Sequence, residues 1–468
     1  MRININTGNV SGLIPYEYDL LLRLVREYEA HEGQNELKQK YYEGHVTLGD
    51  VNLGIALPKN MCGLEVGCSW GAKTVDVLAG RSMFDGFVGE NGYENEYLTR
   101  IVEANALLSE YPKAVRDELL YGTTFATLSK DPVLGCKIRF HSPRTASALW
   151  DGERGMIRCG MAVIDYVKAS PIDETPHASM INLYTDDAII VIRSDGQYWS
   201  AERHLHGMGR PLMVPITWSS TSVKPFGRSR IKKPIRELIN GYIRTIANAT
   251  IGLEFSTSPQ KYILGVTDEQ FDKIVSDKFK QYIGAMVAAT TNPETGEKPT
   301  FGQLQQGTLS PHVEMIRMLA TQFSAATGLT VTDTGVVNDA NPTSSDAILA
   351  QSQTLVNMAE QLNAGNGEAL KTIAMMSLAI TNGVRMDELA DDQKDVIAHF
   401  KNPAMPSVAV TADAAIKIAS ARHEFASTDT FLEMIGFDQA DIRRIKAQEQ
   451  RARGLNVLTE VLENEAVS

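Results

Sequence analysis

The chain has 468 residues, enough for roughly three domains if each takes about 150 residues. Hydrophobic residues make up 43% of it and charged residues 22%, so a sizeable core can form and wholesale disorder is excluded. The 45 Lys and Arg residues against 57 Asp and Glu residues give a net charge of −12. This balance argues against a protein whose main function is to bind nucleic acid by neutralising phosphates, although it allows a local basic patch.

The cysteines and the N-terminus indicate a protein of a reducing compartment. Four cysteines (Cys62, Cys68, Cys136 and Cys159) are too few in so long a chain for a disulfide framework. Residues 1–6 contain no apolar signal core, and no later stretch reaches the roughly 18 uninterrupted apolar residues of a membrane span. We therefore expect neither secretion nor membrane insertion.

The first third of the chain is predicted to be helical. Leu20, Leu21 and Leu24 recur at helical spacing with charged residues between them. Further helices are predicted at 73–78, 97–108 and 114–121.

Between residue 137 and about residue 218 the apolar period changes from helical to alternating. Short runs at 158–166, 179–184 and 188–192 are separated by turn residues, and Thr185-Asp186-Asp187 is the turn between the last two. This pattern predicts an antiparallel meander over about 137–218.

Two amphipathic helices of similar length follow the meander. The first has one apolar stripe that begins at Ile231, and Ser229 before it is a candidate N-cap. The second begins at Ser310-Pro311, a candidate cap followed by a proline in the first helical position. Gly and Pro cut the intervening residues, 258–307, into short pieces, which predicts a small inserted module.

A polar loop and a third long helix come next. The loop spans 330–342, and the helix is predicted to start at the capping box of Thr343 and Asp346. We expect the Gly-Asn-Gly sequence at 365–367 to interrupt this helix, because glycine disfavours a helix interior. The remainder, 387–468, is predicted to form small helices. The predicted fold class is therefore α+β, mainly helical.

One segment approaches a nucleotide-binding motif. Residues 67–74 end in Lys73 and Thr74, as a phosphate-binding loop does, but Ala72 stands where the second glycine belongs. No run of β-branched residues precedes the segment to form the supporting strand. We interpret it as the first turn of an ordinary helix.

Two other patterns also fall short of a catalytic or metal site. His204 and His206 could lie on one face of a strand, but no further ligand is near in sequence, so strand-end histidines are expected. Residues 227–231 fail the G-x-S-x-G pattern at the last position. We expect no metal, no cofactor and no enzymatic activity.

Several short motifs follow one another along nearly the whole chain. They are KYYEG (40–44), WGAKTVDVLAGR (70–81), LYGTTF (120–125), HGMGRPLMVP (206–215), FGRS (226–229), LSPHV (309–313), ATGL (326–329), ANPTSSDAI (340–348) and NPAMPS (402–407). Each is weak alone, but their number and order resemble the portal proteins of tailed bacteriophages, in particular the siphophage-like branch. The resemblance covers about residues 16–450.

The chain departs from this family's pattern at three places. Thr330 stands where the family usually has proline, and Ser345 replaces the usual alanine. The Gly-Asn-Gly sequence lies in a helix that the family often keeps continuous. These departures affect loop and helix detail more than the assignment.

The resemblance implies a head-to-tail connector, a ring of typically twelve copies at one capsid vertex. Double-stranded DNA would be packaged and ejected through this ring. The implied regions are the wing (1–228), the first stem helix (229–254), the clip (255–308), the second stem helix (309–329), the tunnel loop (330–342), the long wing helix (343–383) and a helical crown (384–468).

Three sets of residues are the expected functional surfaces. The DNA-facing tunnel loop comprises Thr332, Asp333, Thr334, Gly335, Val336, Val337, Asn338, Asp339, Ala340 and Asn341. The stem residues, for subunit packing or a basic belt, are Lys232, Lys233, Ile235, Arg236, Leu238, Ile239, Val313, Ile316, Leu319 and Phe323. The clip residues, for docking of the motor or adaptor, are Tyr262, Phe271, Phe279, Tyr282 and Phe301.

The charges of these surfaces lead to two predictions. The loop has Asp333 and Asp339 but no Lys or Arg, which suits a lining that lets DNA slide without phosphate neutralisation. Lys232, Lys233 and Arg236 either form a basic belt on the stem or face adjacent subunits or the capsid shell. The sequence leaves both interpretations open.

The implied partners are further copies of the chain, non-specific double-stranded DNA, the terminase large subunit, a head-completion or adaptor protein, and the major capsid and scaffold proteins. The ATPase would belong to the terminase. The expected location is the portal vertex of the virion, after assembly in the cytoplasm of the infected bacterium. Two alternatives remain, namely a nucleotide-dependent enzyme that uses Lys73 and Thr74, and a ring-forming connector without a DNA channel.

Overall fold

The computed structural model describes most of the chain. The described residues are 10–51, 63, 65–89, 96–167, 176–195, 198–257, 261–265, 296, 298, 300–303, 308–335, 345–404, 408–437, 441–442 and 444–452. They form two compact units, 1–403 and 404–468, which we describe separately.

The larger unit begins with two strands and four helices, and its first strand pairs in parallel with a later one. These elements are β1 (Val10–Ser11), α1 (Pro15–Glu43), α2 (Trp70–Ala79), β2 (Phe84–Gly89), α3 (Glu96–Ala104) and α4 (Leu107–Tyr121). Leu20, Leu21 and Leu24 form the buried stripe of α1, as their spacing predicts. The helix predicted at 97–108 ends earlier, at Ala104, and α4 begins at Leu107.

The strands that follow form two sheets instead of the single meander predicted over 137–218. They are β3 (Thr123–Asp131), β4 (Gly135–His141), β5 (Ala146–Asp151), β6 (Met156–Val167), β7 (His177–Tyr184), β8 (Ala188–Ser194), β9 (Trp199–Leu205) and β10 (Met213–Thr217). One sheet has the order β1-β9-β8-β7-β6-β5, and the other has the order β10-β3-β4.

The last strand leaves the meander because β3 offers it a partner. Met213 pairs with Thr127 and Thr217 pairs with Thr123 in an antiparallel register. Residues 123–128 are buried without interruption, so β3 lacks the alternation by which half-buried strands are recognised. The sequence prediction missed β3 for this reason.

The rest of the larger unit contains the predicted helix pair and the long helix. Its elements are α5 (Lys233–Thr257), β11 (Lys261–Leu264), β12 (Thr300–Gln303), α6 (Ser310–Thr327), a 3₁₀ turn (Thr332–Thr334), α7 (Ser345–Asn382), a second 3₁₀ turn (Met386–Glu388), α8 (Asp391–Lys394) and β13 (Val396–Phe400).

Two of the three predicted helix caps are wrong, and the third, the capping box that begins at Thr343, lies outside the described residues. The Ser229 hydroxyl accepts from the Ile231 N–H at 2.9 Å and donates to the Leu120 carbonyl at 2.5 Å, so it joins the incoming chain to the end of α4 and does not cap α5. Helix α6 begins at Ser310 itself.

A strand replaces part of the helical region predicted after residue 387. Strand β13 pairs antiparallel with β2, so that Ile397 lies opposite Val88. The Phe400 ring packs edge-on against Phe84 and Tyr111, each with its centroid 6.0 Å away. These partners lie about 300 residues away along the chain, so local pattern does not reveal the pairing.

The long helix α7 is continuous through the Gly-Asn-Gly sequence, so the predicted interruption is wrong. Asn366 is fully buried, and its Nδ2 donates to Glu118 Oε2 at 2.8 Å and to the Tyr111 hydroxyl at 2.9 Å. These bonds tie α7 to α4. The tertiary contacts outweigh the low helix propensity of the two flanking glycines.

The smaller unit contains helix α9 (Val408–Ala421), a 3₁₀ turn (His423–Ser427) and helix α10 (Asp429–Ile435). The hydroxyl of Thr428 accepts from the Phe431 N–H at 3.3 Å and caps α10. Lys446 bonds to Asp429 at 2.6 Å. Taken over all described residues, the secondary structure confirms the α+β, mainly helical class.

The buried carboxyl of Glu118 predicts a specific pH dependence of stability. Burial raises the pKa of Glu118 to about 8, and its Oε1 has no hydrogen-bond partner among the described residues. Folding therefore retains a proton that the unfolded chain releases above about pH 4.5, and stability falls as the pH rises toward 8. In Glu118→Gln this loss should disappear.

Thermal unfolding of both proteins between pH 5 and 8.5 measures this effect. The melting temperature of Glu118→Gln relative to the native protein should rise with pH. The control Glu110→Gln, on the exposed side of the same helix, should follow the native profile. Parallel profiles for Glu118→Gln and the native protein would contradict the prediction.

Candidate functional site

An aromatic cluster joins helix α2 to both helices of the pair α5 and α6. Trp70 is 2% exposed, and its ring centroid lies 4.7 Å from that of Tyr242 on α5 and 4.7 Å from that of Phe323 on α6. Such contacts add roughly 0.5–1.5 kcal/mol per pair to the burial itself. The cluster therefore holds the three helices in one arrangement.

Glycine at position 71 brings α2 close enough to reach this cluster. A Cβ at Gly71 would lie 2.0 Å from the Tyr41 carbonyl oxygen at the end of α1. Tyr41 in turn donates from its hydroxyl to Asn240 Oδ1 on α5, at 2.8 Å. The KYYEG and WGAKTVDVLAGR motifs are thus in direct contact, and they meet the helix pair together.

The predicted stem stripe forms the buried face of the pair. Ile235, Ile239, Leu319 and Phe323 are 5% exposed or less, and Leu238 packs against the same core. Gly241 allows the close approach, since a Cβ there would lie 3.1 Å from Leu319 Cδ2.

Three apolar side chains of α6 are exposed, among exposed polar neighbours. Val313 is 48% exposed, Met315 39% and Met318 47%, and Ile316 between them is half-buried. We call Val313, Met315 and Met318 the outer face of α6. Met315 and Met318 are one turn apart and form a small exposed apolar patch, which is typical of a surface that another molecule covers.

The three basic residues at the start of α5 do not share one environment. Lys232 and Lys233 are exposed, whereas the Arg236 guanidinium lies 5.9 Å from the Tyr41 ring centroid on α1. Burial and the charge of Arg236 lower the pKa of neighbouring Lys38 to about 8. A basic belt therefore stays a prediction for Lys232 and Lys233, and Arg236 contacts its own subunit.

Arg230 is a site residue that the sequence did not reveal. Its side chain is 7% exposed, yet it donates to carbonyl oxygens of Thr74 and Thr327, both at 2.7 Å. It also lies 5.8 Å from the Trp218 ring. Burial lowers its pKa to about 10, so it stays charged at neutral pH and binds the carbonyl end of α6.

The first residues of the predicted tunnel loop are tightly bonded. Asp333 Oδ2 accepts from the Thr330 N–H at 2.9 Å and from its hydroxyl at 2.8 Å. Thr334 is buried, and its hydroxyl donates to the Val331 carbonyl at 2.6 Å. Two of the predicted channel residues thus make bonds within the subunit, whereas Thr332 and Gly335 are exposed.

Two side chains of α2 hold this segment from outside. The Trp70 Nε1–H donates to the Thr334 carbonyl at 3.1 Å, and Lys73 Nζ donates to the Asp333 carbonyl. We call residues 330–335 the loop base. The remaining predicted loop residues lie outside the described residues; they are Val336, Val337, Asn338, Asp339, Ala340 and Asn341.

The predicted clip is described only in part. Strands β11 and β12 pair antiparallel, with Tyr262 opposite Gly302 and Ile263 opposite Phe301. Phe271, Phe279 and Tyr282 lie outside the described residues.

The residues that resemble part of a phosphate-binding loop make hydrogen bonds within the protein. The Thr74 hydroxyl donates to the Trp70 carbonyl at 2.8 Å within α2, and Lys73 binds the loop base. Across the described part of the chain, no group of three His, Cys, Asp or Glu side chains is arranged to hold a metal ion. Among the same residues, no helix combines the length and apolarity needed to cross a bilayer.

Comparison with known proteins identifies the family. A family model described as "Phage portal protein, SPP1 Gp6-like" matches residues 23–454. The chain belongs to this portal family. The portal protein of Mycobacterium phage L5 is 25% identical over 379 residues, which cover 78% of this chain and 75% of that protein.

Solved structures of gene transfer agent particles are also similar to this portal protein. A chain of the virion of the native particle has a TM-score of 0.47 and 11% identity, covering 86% of this chain and 93% of that one. A chain of the neck of the native particle, computed with C12 symmetry, has a TM-score of 0.46 and 13% identity, covering 79% and 89%.

Family membership confirms two expectations. As a phage portal protein the chain is a structural component of the virion, and it is not an enzyme. The resemblance to the phage portal family is confirmed, and two of the motifs that carried it, KYYEG and WGAKTVDVLAGR, meet where Gly71 approaches the Tyr41 carbonyl.

The cluster makes Phe323 the critical residue of α6. Phe323→Ala should lower the free energy of unfolding of the larger unit by about 3–5 kcal/mol, because it removes a fully buried ring that stacks on Trp70. Urea unfolding followed by circular dichroism measures this loss. The control Val313→Ala, on the exposed side of α6, should change the free energy by less than about 0.5 kcal/mol. Equal losses in both variants would refute the assignment.

Proposed function

We propose that this portal protein forms a ring of twelve copies at one capsid vertex, through which double-stranded DNA is packaged, retained and later ejected. Family membership supports the connector role, and the resemblance of the motifs supports the copy number. The observation that supports ring formation is the exposure of the outer face of α6. A single subunit leaves Val313, Met315 and Met318 in water, and a neighbouring copy in a closed ring would cover them.

The regions of the ring follow the order of the chain. We propose 1–228 as the wing, α5 and α6 as the stem, 255–308 as the clip and 343–383 as the long wing helix. For the crown we propose the smaller unit, 404–468, in place of 384–468, because β13 pairs with β2 inside the larger unit.

The segment 330–342 supports a channel that touches DNA without holding it. It contains Asp333 and Asp339 and no Lys or Arg, so it adds no salt-dependent phosphate contacts. We propose that the residues from Gly335 onward face the DNA. Thr330, Asp333 and Thr334, which bond within the subunit, serve as the base of the loop.

Other proteins would complete the connector. We propose that the clip docks the terminase large subunit, which supplies the ATPase, and later a head-completion or adaptor protein. The wing would face adjacent subunits, the major capsid protein or the scaffold protein, and the exposed Lys232 and Lys233 would either join that surface or form a basic belt on the stem. Assembly would take place in the cytoplasm of the infected bacterium.

Native mass spectrometry with negative-stain imaging of the same sample tests the ring. We expect a particle of about twelve subunit masses with a central hole wide enough for a duplex. Met318→Glu should prevent this ring, because each copy would bury a carboxylate in the subunit interface. Its thermal unfolding as a subunit should stay near that of the native chain.

A matched control is available within the same chain. Met83→Glu introduces the same charge at another exposed methionine, outside the helix pair, and should leave the ring intact. A ring without a central hole would refute the channel. Rings formed equally well by Met318→Glu would show that the outer face of α6 is not a subunit interface.

A further inference from the structure

Helix α2 presents two donors, one turn apart, to the same short segment. Trp70 and Lys73 are separated by three residues, so their side chains lie on one face of α2. Both donate to backbone carbonyls, Trp70 to Thr334 at 3.1 Å and Lys73 to Asp333. The segment they bind is the loop base, more than 250 residues later in the chain.

The chain leading into the loop base is also bonded by side chains. Ser324 donates from its hydroxyl to the Leu329 carbonyl at 2.6 Å, and Arg230 donates to the Thr327 carbonyl at 2.7 Å. Gly328 has a φ of 73°, and a Cβ there would lie 2.4 Å from Met358 Cε on α7. The path from the end of α6 to Gly335 is thus determined by contacts with α2, α7 and the chain before α5.

Lys73 has an unusual partner for a half-buried ammonium group. It binds a carbonyl oxygen, while the carboxylate of Asp333 is occupied by the amide and hydroxyl of Thr330. A hydrogen bond from a charged donor contributes more to stability than one from a neutral donor. The charge of Lys73 thus strengthens its hydrogen bond to the Asp333 carbonyl.

We propose that Trp70 and Lys73 are positioning residues of the channel loop, which they attach to α2 at its base. This inference rests on the proposed function, because it assumes that the residues after Gly335 face the DNA. The channel lining of a ring is regular only if the loop leaves every subunit at the same position. An attachment inside every subunit meets that requirement.

Hydrogen exchange of the purified full-length protein tests the attachment. In Lys73→Met, which removes the donor but keeps much of the side chain, exchange of the amides in 330–335 should rise roughly tenfold, since losing a charged hydrogen bond costs about 1.4 kcal/mol or more. Trp70→Phe removes the indole N–H and keeps an aromatic ring, and it should raise exchange in the same segment. Lys73→Arg should restore protection.

The control variant is Lys113→Met, which removes an exposed lysine bonded to Glu110 on α4. It should leave exchange of 330–335 unchanged, and the melting temperature of Lys73→Met should lie only a few degrees below that of Lys113→Met, as expected for the loss of one hydrogen bond. Unchanged exchange at the loop base in Lys73→Met would overturn the attachment. This measurement needs neither DNA nor a ring, so it is independent of the proposed function.

The DNA content of particles assembled with each variant tests the role in the channel. Lys73→Met should form rings and heads in normal number, but these should hold several-fold less nuclease-protected DNA, and Lys73→Arg should recover it. Normal DNA content in Lys73→Met, despite faster exchange at 330–335, would overturn the positioning role. If the native protein forms no DNA-bearing ring, the proposed function fails, whereas the exchange result still stands.

Discussion

The burial of the Trp70 indole is the constraint on which the rest of the larger unit depends. The ring lies between Tyr242 and Phe323, so it defines the distance from α2 to both helices of the pair. A buried indole N–H without a partner is costly, and here the Thr334 carbonyl satisfies it. The packing of the helix pair and the position of the loop base therefore depend on each other, because the Trp70 ring packs against the pair while its N–H bonds to the loop base.

Buried positive charges in this region are bonded to backbone carbonyls instead of carboxylates. Arg230 meets the carbonyl of Thr327 at the end of α6 and that of Thr74 in α2. The carbonyl end of a helix carries partial negative charge, which offsets part of the desolvation of a cation. Lys73 follows the same rule at the loop base. Because these cations bond to backbone carbonyl oxygens, a shift of the backbone would leave their charges without a partner.

The sequence predicts those features that depend on local periodicity and misses those that depend on distant contacts. The apolar stripes of α5 and α6 and the position of the loop follow from spacing and composition. The pairing of β13 with β2 does not, nor does the continuity of α7, which depends on bonds from Asn366 to side chains about 250 residues away. The anchoring of the loop by Lys73 is hidden in the same way, since the residue resembled part of a phosphate-binding loop.

Thr330 shows how a threonine defines the loop base at a position where the resemblance leads us to expect proline. A proline would restrict φ at this position but would have no N–H to donate. Threonine supplies both an amide and a hydroxyl to Asp333, while its hydroxyl accepts from the Asp333 N–H at 3.2 Å. This reciprocal bonding stabilises a tight turn, and the turn directs the carbonyls of Asp333 and Thr334 toward Lys73 and Trp70. The turn at Thr330 and the attachment to α2 therefore act together, because the hydrogen bonds of the turn place the carbonyl oxygens that α2 binds.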